Sequence, residues 1–272
     1  YLSGGWAEGA RGLDPSQISC VQNFVAYIVI IPMIWRQGLH SLKTDHKLLH
    51  GIRVFFGALG VLLLYYAFSV MPVSQAVALG FVGPIFTVIL GWFYLKEPLG
   101  FFNTSGVILG IVGAYFISRP DKFFNLATID LNILLPLGSA MCFALTKILG
   151  RELALLKEPT HRIANYLMIF MAPLTLVPAL AVWVHPTVME WVLLLVLGGV
   201  SWGGHYCFAK SYHYAGVIFL MPFGFSRLLI SALLAYGLFD ELPKNITFFW
   251  QGCLIIFIST LFICWEEKYQ KK

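Results

Sequence analysis

The sequence predicts an all-α polytopic membrane protein, and three observations carry this prediction. Of the 272 residues, 59% are hydrophobic and only 11% are charged, against about 25% charged residues in ordinary soluble domains. The apolar runs continue for about 20 residues, the length with which a helix crosses a bilayer. They do not alternate in segments of about ten residues, which is the pattern of a transmembrane β-barrel.

Nine apolar spans follow one another along the chain. A basic loop, 36–53, follows the first span, and the uncharged run 54–95 is long enough for two spans that meet at Met71-Pro72. Proline ends one helix at that point and suits the first turn of the next. The expected spans are 18–35, 54–71, 72–95, 101–118, 131–149, 163–184, 191–209, 217–241 and 246–265.

Two of the spans match each other. Segments 73–97 and 217–241 have the same length, and each contains a Gly-Phe pair, a proline and a terminal glutamate, Glu97 or Glu241. Basic residues concentrate on the side of the 36–53 loop, and the positive-inside rule places that side and the C-terminus in the cytoplasm. The matching helices then run in opposite directions, as in the inverted repeats of secondary transporters.

An inverted repeat of five plus five spans predicts a boundary in the polar connector that follows the fifth span. The first repeat is then 1–122, with spans 2–5, and the second is 123–272, with spans 6–10. The chain begins at Tyr1 without a methionine. We therefore expect that a first span is missing from it.

A family resemblance covers nearly the whole chain. Its segments are 65–72, 84–97, 106–120, 209–211 and 222–241. They resemble the drug/metabolite transporter superfamily, EamA type, and the stretches 189–198 and 226–236 are most similar to bacterial S-adenosylmethionine uptake transporters. The resemblance implies a ten-helix inverted-repeat (5+5) transporter, without its first helix here, whose central cavity opens alternately to each face.

A single charge, Arg227, lies near the middle of the span 217–241. A guanidinium stays protonated at any accessible pH. A charge at that depth costs at least about 2.5–3.5 kcal/mol, so it usually faces a cavity or a partner. We expect Arg227 to pair with a carboxylate or phosphate of a substrate. The alternatives are a structural arginine satisfied by carbonyl groups, or one that snorkels from a tilted helix.

Other candidates share the spans that should line the cavity. His205 is a candidate for proton coupling because imidazole titrates near neutrality, with hydrogen-bonded packing as the alternative. Aromatic and polar residues there suit a small-molecule pocket, with packing or an interfacial belt as the alternative. The substrate-binding candidates are Arg227, Gln75, Tyr66, Phe81, Trp202, His205, Tyr206, Phe223 and Phe225. The gating candidates are Glu97, Glu241, Pro84 and Pro222, although the glutamates also suit helix ends in water.

These patterns favour a secondary transporter that moves a small polar or zwitterionic metabolite across the inner (plasma) membrane by alternating access. The resemblance implies S-adenosylmethionine uptake or exchange. The alternative is an exporter of amino acids or drug-like metabolites of the same superfamily. The motifs GxSxG, HExxH and the P-loop are absent, so we expect no enzyme. No cofactor, metal or nucleic acid is expected. The expected partners are the substrate and the lipid bilayer, with proton or counter-substrate coupling left open.

Overall fold

The structure is a computed structural model that describes residues 13–38, 42–70, 76, 79–80, 82–98, 100–118, 131–225, 230, 250–255 and 257–259. These residues are helical or lie in the connections between helices, and none of them forms a strand. The helices are α1 (Pro15–Gln37), α2 (Lys47–Val70), α3 (Gly83–Phe93), α4 (Phe101–Ser118), α5 (Leu134–Leu155, after a 3-10 turn at Leu131–Ile133), α6 (Thr160–Ala181), α7 (Val188–Tyr214) and α8 (Val217–Leu220, before a 3-10 turn at Pro222–Phe225).

Five of the described helices are long and apolar enough to cross a membrane: Ser16–Arg36, Lys47–Val70, Leu131–Leu155, Thr160–Ala181 and Val188–Tyr214. Three shorter apolar helices are Gly83–Phe93, Thr104–Gly113 and Trp250–Ser259. The prediction of an all-helical polytopic membrane protein is confirmed at this level. The count of nine spans and the five-plus-five inverted repeat stay predictions, as does the repeat boundary at 122.

Contacts divide the chain into two units. The first combines Tyr1–Tyr65 with Leu149–Tyr214, and the second combines Tyr66–Ile148 with Ala215–Lys272. In the first unit, α1 packs against both α6 and α7, and α6 also packs against α7. In the second unit, α3 contacts α4 and α8, and α4 contacts the 3-10 turn at Pro222–Phe225.

Two helices of the first unit begin with recognisable capping signals. The carboxylate of Asp14 accepts a hydrogen bond from the backbone N–H of Ser16 at 2.8 Å, and Pro15 occupies the first position of α1. At the start of α7, Glu190 accepts from the backbone N–H of Thr187 at 2.7 Å, and the Thr187 hydroxyl accepts from the N–H of Glu190 at 3.4 Å. This reciprocal pair is a capping box, which satisfies donors that the helix leaves open.

The close approach of α7 to α1 occurs at Gly198. A Cβ atom added there would lie 2.5 Å from Val25 and 3.0 Å from the carbonyl oxygen of Gln22. The neighbouring pair Gly199 and Gly203 carries the small-xxx-small pattern that typifies packing between membrane helices. A Cβ atom at either of them meets nothing within 4 Å. In the described residues the contact therefore falls one residue before the pattern.

The structure corrects the boundaries of the predicted basic loop 36–53. Helix α2 begins at Lys47, so Arg53 lies inside the helix, where it is 5% exposed. Its guanidinium donates a hydrogen bond to the carbonyl oxygen of Ile163 at 2.7 Å. Charge counting placed Arg53 in water because a charged residue at the edge of an apolar run looks like loop. A carbonyl on a neighbouring helix supplies the partner that makes burial tolerable.

The predicted span 217–241 is interrupted early. The α-helical part ends at Leu220, and the chain continues as a 3-10 turn over Pro222–Phe225. Proline has no N–H to donate and its ring clashes with the carbonyl four residues back, so an α-helix cannot run through it unchanged. The kink expected at Pro222 agrees with this break. Pro84 lies in the first turn of α3, where its missing N–H has no helical partner to lose.

Candidate substrate-binding site

A stacked aromatic pair on α7 is the best-defined part of the predicted substrate site. The rings of Trp202 and Tyr206 lie 5.5 Å apart, with 24° between their planes. Their spacing of four residues places both on one face of the helix. The indole Nε1 of Trp202 donates to the side-chain oxygen of Asn165 on α6 at 3.1 Å, and Asn165 is 1% exposed. This bond orients the indole ring.

The surface beside the aromatic pair is bare. Gly199, Gly203 and Gly204 precede or separate the two rings, and a Cβ atom on any of them would meet nothing within 4 Å. Gly199, Gly203 and Tyr206 recur at helical spacing, so they share a face. Glycines let another group approach the helix backbone closely. A flat ring could lie on this face beside the stacked side chains.

His205 lies between the two aromatic residues in sequence and is partly buried. The role of His205 in proton coupling stays a prediction.

The remaining described candidates lie in the second unit. Tyr66 is 59% exposed, and its carbonyl oxygen accepts a hydrogen bond from the hydroxyl of Ser69 at 2.8 Å. Phe223 is 37% exposed, and its ring lies 5.5 Å from the ring of Phe219. The backbones of Phe225 and Pro222 belong to the 3-10 turn. Predictions for Gln75, Phe81, Arg227 and Glu241 lie outside the described residues.

Glu97 is partly exposed and caps the start of α8. Its carboxylate oxygens each accept a backbone N–H at 3.1 Å, one from Val217 and one from Ile218. These N–H groups begin α8 and have no partner within the helix. A Cβ atom at Gly216 would lie 2.7 Å from the carboxylate of Glu97, so a larger residue there would require the carboxylate to move away from these N–H groups. Whether Glu97 gates transport stays a prediction.

The first unit holds a polar cluster that composition and charge counting did not find. Glu158 is 4% exposed and follows α5 in the chain. It accepts hydrogen bonds from the hydroxyl of Thr44 and, at 2.8 Å, from the guanidinium of Arg162. Burial by itself would raise the pKa of Glu158. The bonds from Thr44 and Arg162, with the charge of Arg162, outweigh burial and lower the pKa below its usual 4.5.

The buried guanidinium of Arg53 anchors α2 beside this cluster. Gly150 on α5 makes room for it, because a Cβ atom there would lie 3.0 Å from the Tyr212 ring and 3.3 Å from Nε of Arg53. Arg151 donates to the carbonyl oxygen of Tyr212. Two arginines thus lie against the last turns of α7.

A sequence signal for the cluster did exist. The tetrapeptide Leu-Lys-Glu-Pro occurs twice, at 95–98 and at 156–159. In both copies the lysine has a positive φ, 53° for Lys96 and 60° for Lys157. This left-handed conformation ends a helix and turns the chain that follows. The repeated motif marks two glutamates that leave the helix in the same way.

Five apolar helices of spanning length place the chain in the class of polytopic membrane proteins. A family model of the EamA-like transporter family matches residues 7–119. A riboflavin transporter of Vibrio cholerae serotype O1 is 30% identical over 267 residues, which cover 96% of this chain and 87% of the relative. The chain therefore belongs to the EamA-like transporter family.

Two further comparisons also cover nearly the whole chain. An S-adenosylmethionine uptake transporter of Rickettsia prowazekii is 28% identical over 258 residues, which cover 94% of this chain and 85% of the relative. A solved crystal structure of a protein matches with a TM-score of 0.78 at 17% identity, covering 97% of this chain and 91% of that one. At that identity the likeness shows a shared fold alone. The family and its relatives are transporters and not enzymes.

Proposed function

We propose that this chain is a secondary transporter of a small polar or zwitterionic metabolite that contains a flat nitrogen heterocycle. One observation carries the proposal. Trp202 and Tyr206 are stacked beside the bare glycine face of α7, and Asn165 orients the indole. Stacking of a base on an aromatic side chain is worth about 1–3 kcal/mol. The stacked pair thus offers a ring-shaped substrate a preformed surface.

The names of the relatives support this substrate class. Riboflavin and S-adenosylmethionine, named for two of them, both contain a fused planar heterocycle. We favour S-adenosylmethionine, taken up or exchanged, because Arg227 offers a charge that its carboxylate can meet. Riboflavin has no carboxylate. The two substrates therefore differ in their need for Arg227 and share the need for the aromatic pair.

The transport cycle that we propose is alternating access across the inner membrane, with the C-terminus in the cytoplasm. The remaining candidate contacts belong to this proposal, as do the gates Glu97, Glu241, Pro84 and Pro222. Inverted-repeat transporters place their substrate between the repeats and rock around it. The contact candidates besides the aromatic pair and Arg227 are Gln75, Tyr66, Phe81, His205, Phe223 and Phe225.

The test measures uptake of labelled S-adenosylmethionine and of riboflavin into proteoliposomes. Trp202→Ala and Tyr206→Ala should each lower the apparent affinity for the transported compound about tenfold, since 1.4 kcal/mol is a factor of ten. Phe208→Ala is the matched control, because Phe208 lies on the same helix and is 51% exposed. Its affinity should equal that of the wild type.

Arg227→Gln separates the two substrates. If S-adenosylmethionine is the substrate, this variant should lose its uptake by about tenfold or more, and Arg227→Lys should restore part of it. If riboflavin is transported and is indifferent to both variants, riboflavin replaces S-adenosylmethionine. Transport of amino acids without a ring, unchanged in Trp202→Ala, would favour the exporter alternative. No uptake and no exchange of any metabolite would overturn the transporter.

A further inference from the structure

His50 is a buried histidine whose polar atoms are not satisfied. It lies one turn into α2 and is 1% exposed. In the described part of the chain, neither Nδ1 nor Nε2 has a hydrogen-bond partner. Leaving a buried donor or acceptor without a partner costs about 1–3 kcal/mol. Such a group in a folded protein calls for a functional explanation.

The nearest acceptor is the carboxylate of Glu158. Its Oε1 atom lies 3.8 Å from Nε2 of His50, which is beyond hydrogen-bond distance and within reach of a direct charge interaction. The same oxygen holds the hydroxyl of Thr44, and the other oxygen holds Arg162. A proton on Nε2 would therefore gain a full charge-assisted bond only if His50 and Glu158 moved closer by about 1 Å.

The charges around His50 come from each element packed against it. Arg53 lies one turn further along α2, Arg162 and the ring of Tyr166 belong to α6, and Glu158 belongs to the connection between α5 and α6. The Tyr166 ring lies 4.5 Å from the imidazole. One carboxylate attracts an added proton and two guanidinium groups oppose it.

Solvent is close to the cluster. Thr44, which is 5% exposed, lies between Lys43 and Asp45, and both of these are exposed. Through Thr44 the cluster therefore contacts a segment, residues 42–46, whose other residues reach solvent. The hydroxyl of Tyr166 donates to the carbonyl oxygen of Leu42 at 2.5 Å and holds this segment against α6.

The turn of α6 that contacts His50 also contacts the stacked aromatic pair on α7. Tyr166, which contacts His50, adjoins Asn165, which holds the indole of Trp202 at 3.1 Å. Arg53 holds the carbonyl of Ile163 in the turn before them. A shift of α2 against the start of α6 would therefore move the residue that orients Trp202. Every contact in this route lies within the first unit.

We propose that His50, which lies 3.8 Å from the carboxylate oxygen of Glu158 that Thr44 also contacts, binds the proton that is coupled to substrate transport. The imidazole takes one proton from water, forms a second N–H bond and gains one positive charge. No other bond changes, and the proton leaves by the reverse step. Because a closer His50–Glu158 contact draws α2 toward the start of α6, the protonated and neutral states favour different arrangements of Asn165 and the stacked pair Trp202 and Tyr206.

This inference rests on the proposed transport function, so its first test needs no transport. The protein with isotope-labelled histidine is titrated in detergent from pH 8 to pH 3 by NMR. The chain has seven histidines, and the signal that disappears in His50→Phe is assigned to His50. That signal should move with pH. In Glu158→Gln the midpoint of this movement should lie about one pH unit lower, because an attracting charge 3.8 Å from the imidazole has been removed.

The second test measures coupling. Proteoliposomes with S-adenosylmethionine or riboflavin are assayed with and without an inwardly directed proton gradient. The wild type should respond to the gradient about fivefold, and in His50→Phe the ratio should fall to about one. His50→Asn serves if the phenylalanine variant does not fold. His185→Phe is the matched control, since His185 is exposed on the connection before α7, and it should respond as the wild type does.

The outcomes separate the two proposals. A His50 signal that does not titrate between pH 3 and pH 8, or that titrates without any effect of Glu158→Gln, overturns the proton site. An undiminished gradient response in His50→Phe and His50→Asn overturns its coupling. A wild type that moves no metabolite overturns the transport function instead, and the NMR titration still decides whether the proton site exists.

Discussion

The tetrapeptide Leu-Lys-Glu-Pro ends two helices, at 95–98 after α3 and at 156–159 after α5, yet its glutamates have different partners. The local structure is similar, because Lys96 and Lys157 both adopt a left-handed conformation with φ of 53° and 60°. In each copy the glutamate that follows the lysine forms hydrogen bonds with residues of the unit to which it belongs. The same four residues thus produce the same kind of helix end.

The partners differ in kind. Glu97 accepts the backbone N–H groups of Val217 and Ile218, whereas Glu158 accepts side chains, Thr44 and Arg162. A backbone cap depends on the close approach of the carboxylate to the start of the helix, and the N–H groups that donate to it carry no net charge. A side-chain cluster depends on charge and can change its protonation state. The comparison teaches that a local motif delivers a carboxylate to the interior, and the packing around it decides whether the carboxylate is structural or titratable.

The largest expected effect is on the side-chain cluster. Glu158→Ala removes a carboxylate that is almost fully buried and that pairs with the guanidinium of Arg162 at 2.8 Å, so it should lower the free energy of unfolding by about 3 kcal/mol. Thermal unfolding in detergent measures the loss. Asp45→Ala is the control, since Asp45 is exposed beside Thr44, and it should stay within about 0.5 kcal/mol. Equal stability of both variants would contradict a stabilising cluster.

The backbone cap is best broken by adding volume. Gly216→Ala places a Cβ atom 2.7 Å from the Glu97 carboxylate, so it should destabilise the protein by about 2 kcal/mol. Gly51→Ala, at a helical glycine where a Cβ atom meets nothing within 4 Å, should instead be stabilising by about 0.5–1 kcal/mol. The same unfolding assay compares the two. A harmless Gly216→Ala would mean that this close approach is not needed.

Glu97→Gln tests what the charge adds to the cap. The amide keeps one oxygen acceptor but cannot serve both N–H groups of Val217 and Ile218 as a carboxylate does. We expect a loss of about 1 kcal/mol. Combined with Gly216→Ala, the losses should be less than additive because both act on one contact. Full additivity would indicate that the two residues act independently.

The smallest expected effect is a pH dependence that belongs to Glu158. Its pKa in the folded protein is lower than its usual 4.5, so its contribution to stability is complete above about pH 4.5 and is lost as the pH falls through the folded value. Measured in the His50→Phe background, which removes the neighbouring imidazole, the difference in unfolding temperature between Glu158 and Glu158→Gln should be constant from pH 8 to about pH 5 and shrink below it. A difference that grows on acidification would reverse this assignment.

Much of the fold could be predicted from patterning alone. The helix expected at 101–118 is observed at Phe101–Ser118, and the break expected at Met71-Pro72 lies outside the described residues. Hydropathy identifies such helices because each backbone polar group in lipid must be satisfied within its own segment. Helix ends at charged residues were less accurate. The predicted loop 36–53 contained the first two turns of α2.

The candidate site was predicted in part. Trp202 and Tyr206 could be chosen because aromatics on one helix face are visible from spacing. The sequence marks their partner Asn165 as a polar residue in another span that can join helices, but its bond to Trp202 in particular could not be predicted. His50 and Glu158 were missed for the same reason, since they are 108 positions apart in sequence. No pattern along the chain reports a contact of that separation.

The sequence by itself determined that the chain is a helical membrane protein, where most of its helices lie and that two helices end in the same turn. These are consequences of hydrophobic periodicity and local backbone preference, which act over a few residues. Only the tertiary structure decided that Glu97 caps a helix start while Glu158 meets His50 and Arg162. The reason is physical, because the energy of a buried charge depends on the groups that surround it in space.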